Sequence, residues 1–338
     1  MVKTKNKSKN RVSLLNVKSA YLLIKIFDQI PLQRTLQIIT YNKKLQKLLN
    51  KNLEDYKNFF QIEIEIIPED NKKGLFINIP NDSEKSNFHV YFNNNTKESK
   101  IYKINPSKNK INKIDLKIDR KGNKSLSGLF KNITTIKEIY FKKFNRKDIN
   151  NMSNIFEGCT SLIKINFDNF NTSNVTNMGE MFKGCKLLKE LDLKNFNTSN
   201  VTSMKNMFQE CESLEVINNI SSFITGKVTD MSYMFQGCKA LKALNLSNFN
   251  TINVIYMDSM FSFCSALTEL NLENFVTINV KNMDNMFFKC SSLEELNIIN
   301  FSTCCIESIE DIFFRCSSLG ILACNDKLIK CHFNNYNH

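Results

Sequence analysis

The 338-residue chain contains no tryptophan and only three histidines, His89, His332 and His338. None of the three stands near a recurrent nucleophile, so the usual neutral-pH bases of an enzyme have nothing to activate. Glycine is scarce, nine in all, and no Gly-rich phosphate loop occurs. Long apolar runs are missing: no stretch approaches the roughly 18 to 20 residues of a membrane span. The basic start from Met1 to Arg11 leads into an apolar run broken by Lys18 and Lys25, which fails as the core of a signal peptide. The first cysteine is Cys159, so no lipobox-like cysteine lies near the start. Together these absences predict a non-enzymatic, cytoplasmic chain with no cofactor and no membrane span.

What the sequence does contain is periodic. A cysteine recurs at Cys159, Cys185, Cys211, Cys238, Cys264, Cys290 and Cys316, in steps of 26, 26, 27, 26, 26 and 26. A repeat this regular identifies a solenoid, whose units cannot bury their apolar faces alone and must stack on neighbours. In the unit from Asn177, Met178, Met181, Phe182 and Cys185 fall at i, i+3, i+4 and i+7, which predicts a two-turn helix. The residue before the first Met is Asn151, Asn177, Ser203, Asp230, Tyr256 or Asn282, and all but Tyr256 suit a helix start. The period then changes to that of a strand, L-x-x-L-x-L at Leu188, Leu191 and Leu193, with Phe196 following. Leu129, Phe130, Ile133, Ile136, Ile139, Phe141 and Phe144 fit the same template. Ile133 stands 26 residues before Cys159, so this slot asks for a compact apolar group and not for sulfur chemistry.

The fold class predicted is therefore α/β, a leucine-rich-repeat-like right-handed solenoid with a parallel sheet and short helices opposite it. It should span 111–324 in about eight units, with Ile111, Ile114 and Leu116 as a half-unit sealing its front. Two buried phenylalanine columns are expected, one from Phe156 to Phe313 and the other from Phe144 to Phe301. The 27-residue step should appear as a bulge near Asn219. Of the eleven cysteines, the seven in the repeat slot should be free and buried, because helices packed roughly 8 to 10 Å apart exceed the roughly 7 Å Cα limit of a bridge. Cys304, Cys305, Cys316, Cys324, Cys331 and His332 contain no C-x-x-C pair, and no metal site is assigned.

The run Phe-Asn-Thr-Ser-Asn-Val-Thr-x-Met-x-x-Met-Phe-x-x-Cys, at Phe170 to Cys185 and again at Phe196 to Cys211, resembles the BspA-like leucine-rich repeat family, which includes mycoplasmal surface lipoproteins. The resemblance covers roughly 200 residues and implies binding rather than catalysis. It also leaves a surface adhesin as an alternative role.

Ahead of the repeats, 1–17 reads as a disordered basic tail, 18–60 as a helical bundle, 61–110 as a β-rich bridging region and 325–338 as a C-terminal cap. The order Ile26-Phe27, Ile30-Pro31, Leu36, then Lys44 with Leu45, Leu48 and Leu49 resembles an F-box, a three-helix module. That resemblance implies a second alternative, a substrate receptor of a ubiquitin ligase. Residues 1–150 hold 32 Lys and Arg against 14 Asp and Glu, and 151–338 hold 14 against 19. The basic half lacks aromatic platforms beside its lysines, which ranks nucleic acid last among partners.

A binding surface is expected on the outward strand positions. One column is Asn166, Asp192, Asn218, Asn245, Asn271 and Asn297; two residues earlier stand Glu190, Glu269 and Glu295. With Glu273 these make the C-terminal half of the face acidic, which suits a basic protein partner. Oligomeric state is left open.

Overall fold

The computed structural model describes residues 20–79, 81–108, 110–119 and 124–336, so the expected basic tail at 1–17 and His338 lie outside the described residues. The chain divides into two units, Met1–Phe60 and Gln61–His338.

The first unit holds four short helices, α1 (Ala20–Asp28), α2 (Leu32–Ile39), α3 (Lys43–Leu48) and α4 (Leu53–Phe60). That is one more than the three of an F-box. Pro31 ends the first connection in extended backbone, since its ring fixes φ and removes a donor. The Asn42 side chain accepts from the Leu45 amide at 3.1 Å and starts α3. Asn52 accepts from the Glu54 and Asp55 amides while Asp55 accepts from the Asn52 amide, a reciprocal cap on α4. Leu23, Phe27, Leu36, Ile39 and Leu45 form a small core of their own.

The second unit opens with β1 (Ile62–Pro68), β2 (Gly74–Leu75), β3 (Phe88–Phe92), β4 (Lys103–Ile104), β5 (Ile114–Ile118) and β6 (Ile136–Lys143). Seven three-residue strands follow: β7 (Lys164–Asn166), β8 (Glu190–Asp192), β9 (Val216–Asn218), β10 (Ala243–Asn245), β11 (Glu269–Asn271), β12 (Glu295–Asn297) and β13 (Ile321–Ala323). A five-stranded sheet of order β3-β5-β1-β6-β7 joins the bridging region to the solenoid. Strand β6 is its pivot, antiparallel to β1 on one side and parallel to β7 on the other. This corrects the expectation for Ile111, Ile114 and Leu116: β5 lies antiparallel between β1 and β3, so it belongs to a capping sheet and not to a parallel half-unit. The apolar alternation is the same in either case, and only the partner strands distinguish them.

The Met-x-x-Met-Phe segments are not helices, which is a second correction. Their amides bond alternately within the segment and to the next unit. Met178, Glu180, Phe182 and Gly184 donate to Ser203, Lys205, Met207 and Gln209, while Met181, Lys183 and Cys185 donate three residues back to Met178, Glu180 and Phe182. A helix starting at Met178 would have sent the Phe182, Lys183, Gly184 and Cys185 amides four residues back and left the earlier ones without a helical acceptor. What breaks the helix is a residue in the left-handed region at every fourth position, Asn154 and Gly158, Glu180 and Gly184, Asn206 and Glu210, Asn285 and Lys289. The capping side chains are used, but each closes a single turn: Asn177 accepts from the Gly179 amide at 2.9 Å and Asp230 from the Ser232 amide at 2.9 Å. The resulting parallel ladder runs unbroken from Ser125 through Asn151, Asn177, Ser203, Asp230, Tyr256 and Asn282 to Ser308, eight rungs in all. The strands, by contrast, pair two by two, β6 with β7, β8 with β9, β10 with β11 and β12 with β13.

Further ladders tie the units. The hydroxyl of Thr172 donates to the Asn197 carbonyl and accepts from the Asn197 amide; Thr198, Thr225, Thr251 and Thr277 repeat this with Ile224, Asn250, Val276 and Ser302. Each of these five threonines is buried, and both hydroxyl capacities are satisfied. Thr303 has no further repeat to bond, and the Asp326 carboxylate replaces one, accepting from its amide and hydroxyl at 2.9 Å each. The other oxygen of Asp326 accepts from the Leu328 and Ile329 amides and so starts α5 (Lys327–Tyr336), the C-terminal cap. Both phenylalanine columns are buried along their length. From Phe130 through Phe156, Phe182, Phe208, Phe235, Phe261 and Phe287 to Phe313, successive rings lie stacked with centroids 5.4 to 5.8 Å apart. The residue inserted between Cys211 and Phe223 makes no bulge in the strand, because β8 and β9 keep register throughout. It is absorbed after β9, where left-handed Asn219 leads into a 3-10 turn at Ile220–Ser222.

The eleven cysteines are unbridged. Their separation is not the reason, since units in a parallel ladder stack roughly 4.8 Å apart and not at helix-packing distance. Each repeat thiol instead donates to the carbonyl of a phenylalanine in the preceding unit, Cys185 to Phe156 at 3.2 Å and Cys211 to Phe182 at 3.1 Å. Burial pushes Cys159, Cys211, Cys264 and Cys316 up to about 12 and Cys185, Cys238 and Cys290 well above the ordinary thiol value.

Two outcomes follow for stability. An unfolded chain releases thiol protons above about pH 8.5 while the folded one keeps them, so stability is fully present below that pH and is lost as pH rises toward 12. Urea unfolding at rising pH should show the loss, and Cys211→Ala should lessen its slope by up to about 1.4 kcal/mol per pH unit. Thr225→Val strands the Asn250 amide and should cost about 1 to 3 kcal/mol in the same assay, whereas Thr229→Val, at an exposed position, should cost under about 1.

Candidate interaction surface

The outward positions of the three-residue strands form two shallow grooves. The C-terminal one, about 570 Å³, is lined by Asn245, Glu269, Asn271, Glu295 and Asn297 together with Ala243 and Ile321. Five of the ten expected site residues thus meet in one place. Asn166, Glu190 and Asp192 line the other groove, about 430 Å³, with Lys164, Asp168 and Lys194. Asn218 lines neither, and Glu273 stands exposed beyond the end of β11.

The asparagine column serves the backbone. Side chains of Asn166, Asn245, Asn271 and Asn297 accept from the amides of Asp168, Ser247, Glu273 and Ile299, two residues on, and turn the chain out of each strand. The Asn166 NH2 also donates to the Asp168 carboxylate at 2.9 Å.

Charge separates the two grooves. In the first, Lys194 lies 3.0 Å from Asp168 and 3.5 Å from Asp192, and Asn218 donates to Glu190 at 2.6 Å. Burial alone would raise Asp192; the Lys194 amide, the Asn219 side chain and the Lys194 charge together hold it below the usual carboxylate range. In the second, Glu269 and Glu295 are exposed, as are Glu273 and Glu294 outside its lining, and none of the four has an ion-pair partner among the described residues. The N-terminal groove thus sets Lys164, Lys189 and Lys194 among Asp168, Glu190 and Asp192, while no cation lines the C-terminal one.

Aromatic side chains, absent from the outward positions of β7 to β13, occur on the turn edge. Phe263, Phe288 and Phe314 lie in successive units with ring centroids 5.3 and 5.4 Å apart, with Lys289 4.5 Å from the Phe263 ring centre and Arg315 5.4 Å from that of Phe314. Phe263 is 37% exposed and adopts φ +60°, in the slot that Gly158, Gly184 and Gly237 fill elsewhere. A bulky residue in a glycine slot was the sequence signal for this edge, and the helical reading of the segment concealed it. Among the described residues no group of His, Cys, Asp and Glu side chains is placed to hold a metal ion, and no helix is long and apolar enough to cross a membrane.

No curated protein matches the chain. Solved structures that resemble it include a leucine rich cell surface protein from Faecalibacterium prausnitzii, 15% identical, covering 62% of this chain and 78% of that one with a TM-score of 0.24. The family described as "Mycoplasma protein of unknown function, DUF285" matches residues 124–219 and 215–321, more than half of the sequence. These matches take in the turn ladder from its first rung and every strand from β6 to β12, and the chain belongs to this family, whose repeats are of the BspA-like leucine-rich kind.

Proposed function

We propose that the chain is a non-enzymatic protein-binding module that holds a basic segment of a protein partner along the C-terminal half of its strand face. The observation that carries this reading is the unpaired state of Glu269 and Glu295 in a groove lined by no cation, whereas its counterpart at β7 and β8 sets three lysines among three carboxylates. A cationic side chain laid across β11 and β12 would meet both carboxylates and the amide groups of Asn271 and Asn297, and opposite charge across a surface steers and orients a partner. Exposed Ile321, at 64%, gives the same groove an apolar end. We also place the protein in the cytoplasm. Eleven cysteines kept as thiols, seven of them one rung apart, suit a reducing compartment.

Proximity labelling in the source cell supplies the partner, and its affinity for the full chain and for the Glu269→Lys/Glu295→Lys variant is then compared. Both positions are solvated, so the variant should keep its far-UV circular dichroism while binding weakens by about ten-fold or more. An unchanged affinity would place the partner elsewhere.

A further inference from the structure

A pocket of about 1100 Å³ lies in the capping region and not on the solenoid. Its floor is a two-stranded ribbon made by β2 and β4, with Leu75 opposite Lys103 and Gly74 opposite Ile104. Ile104 is buried in the core, so the Leu75 and Lys103 side chains share the outward face. Lys73 precedes Leu75 by two residues and Ile101 precedes Lys103 by two, which brings both to that face as well. The floor therefore alternates cation and aliphatic group, with Leu75 41% and Ile101 52% exposed.

The opposite wall carries Lys108 and Lys110. Left-handed Asn93 positions it: its side-chain NH2 donates to the Lys110 carbonyl at 2.9 Å, and its oxygen accepts from the Asn112 amide at 2.8 Å. Four lysines thus line one cavity, and no acidic residue lines it. None of the four has an ion-pair partner among the described residues. Three other lysines of this region are paired, Lys85 with Asp82, Lys100 with Glu98, and Lys113 with Glu65 and Asp115. Four unmatched like charges around an open cavity repel one another, and a multivalent anion removes the repulsion.

We propose that this pocket binds an organic phosphate, its anionic group held by Lys73, Lys103, Lys108 and Lys110 and its apolar body resting on Leu75 and Ile101. Lysine presents a compact point charge suited to phosphate oxygens, and the exposed aliphatic groups account for a body beyond the phosphate itself. The same chemistry occurs in a phosphorylated metabolite and in an acidic phospholipid headgroup.

The full chain is titrated with 1-naphthyl phosphate, with inorganic phosphate and with 1-naphthol, and is co-sedimented with neutral vesicles with and without phosphatidylglycerol. Naphthyl phosphate should bind more tightly than either fragment, and Lys73→Glu/Lys103→Glu should weaken it by about ten-fold or more, since two attractive charges become repulsive. Lys137→Glu/Lys189→Glu, on the solenoid, changes net charge equally and should alter binding by less than about two-fold. Retention on phosphatidylglycerol vesicles that Lys73→Glu/Lys103→Glu abolishes, without naphthyl phosphate binding, would assign the same site to a lipid headgroup. Lys73→Gln/Lys103→Gln repeats each comparison without charge reversal, should the first variant fold poorly. The proposal fails if neither ligand binds, or if the two pairs of reversals weaken binding alike.

Discussion

Every amide of the Met-x-x-Met-Phe segment must find a carbonyl, and the segment is too short to supply more than half of them. The alternation seen at Met178 to Cys185, one amide to its own turn and the next to the following unit, is how the deficit is met. Left-handed residues at every fourth position make the alternation possible, and neighbouring units become obligatory partners. From this follow the close spacing of the units, the stacked phenylalanine column, and the threonine hydroxyls that bond both amide and carbonyl of the next unit. A single unit would leave these groups open to water, so the array must be closed at its ends. The antiparallel strands β1, β3 and β5 do this at the front. Asp326 does it at the back, where one carboxylate stands in for an absent repeat and starts a helix at once.

The division of labour between the two edges bears on function. With the continuous ladder on the turn side, the strand side carries only three residues per unit, and its outward side chains are not needed for stacking. The asparagines at β7, β10, β11 and β12 still close the turn after each strand, but the residue two positions earlier has no such backbone role. That position is Lys164, Glu190, Val216, Ala243, Glu269, Glu295 and Ile321 down the array, which is the variation expected of a surface that specifies a partner. The capping region likewise leaves four lysines unmatched around a cavity, while Lys85, Lys100 and Lys113 are paired with carboxylates.

Much of this was legible from residues alone, for reasons that can be named. Burial of Met178, Met181, Phe182 and Cys185 was correctly inferred from a helical spacing because linked turns also return the chain inward every three or four residues. The helix itself was wrongly inferred, and the contrary signal was present: Asn154 with Gly158 and Asn206 with Glu210 stand four apart where a helix has no use for left-handed backbone. The strand columns and both phenylalanine columns were visible through the period of two and the exact recurrence of the unit. The direction of β5 was not, since Ile114, Leu116 and Ile118 alternate identically in a parallel or an antiparallel sheet. Nor was the lysine pocket, whose parts at 73, 103 and 108–110 converge only after β2 pairs with β4. The gathering of Glu269 and Glu295 could be read because adjacent units place equivalent positions side by side.

Amide hydrogen exchange measured by nuclear magnetic resonance on the full chain tests the turn ladder most directly. The account predicts that Met178, Glu180, Phe182 and Gly184, which donate to the next unit, are protected as strongly as Met181, Lys183 and Cys185, and that Cα shifts of Glu180 and Gly184 report left-handed backbone. Helical Cα shifts running continuously from Met178 to Cys185, or rapid exchange at Glu180 and Phe182 beside protected Leu191 and Leu193, would contradict it.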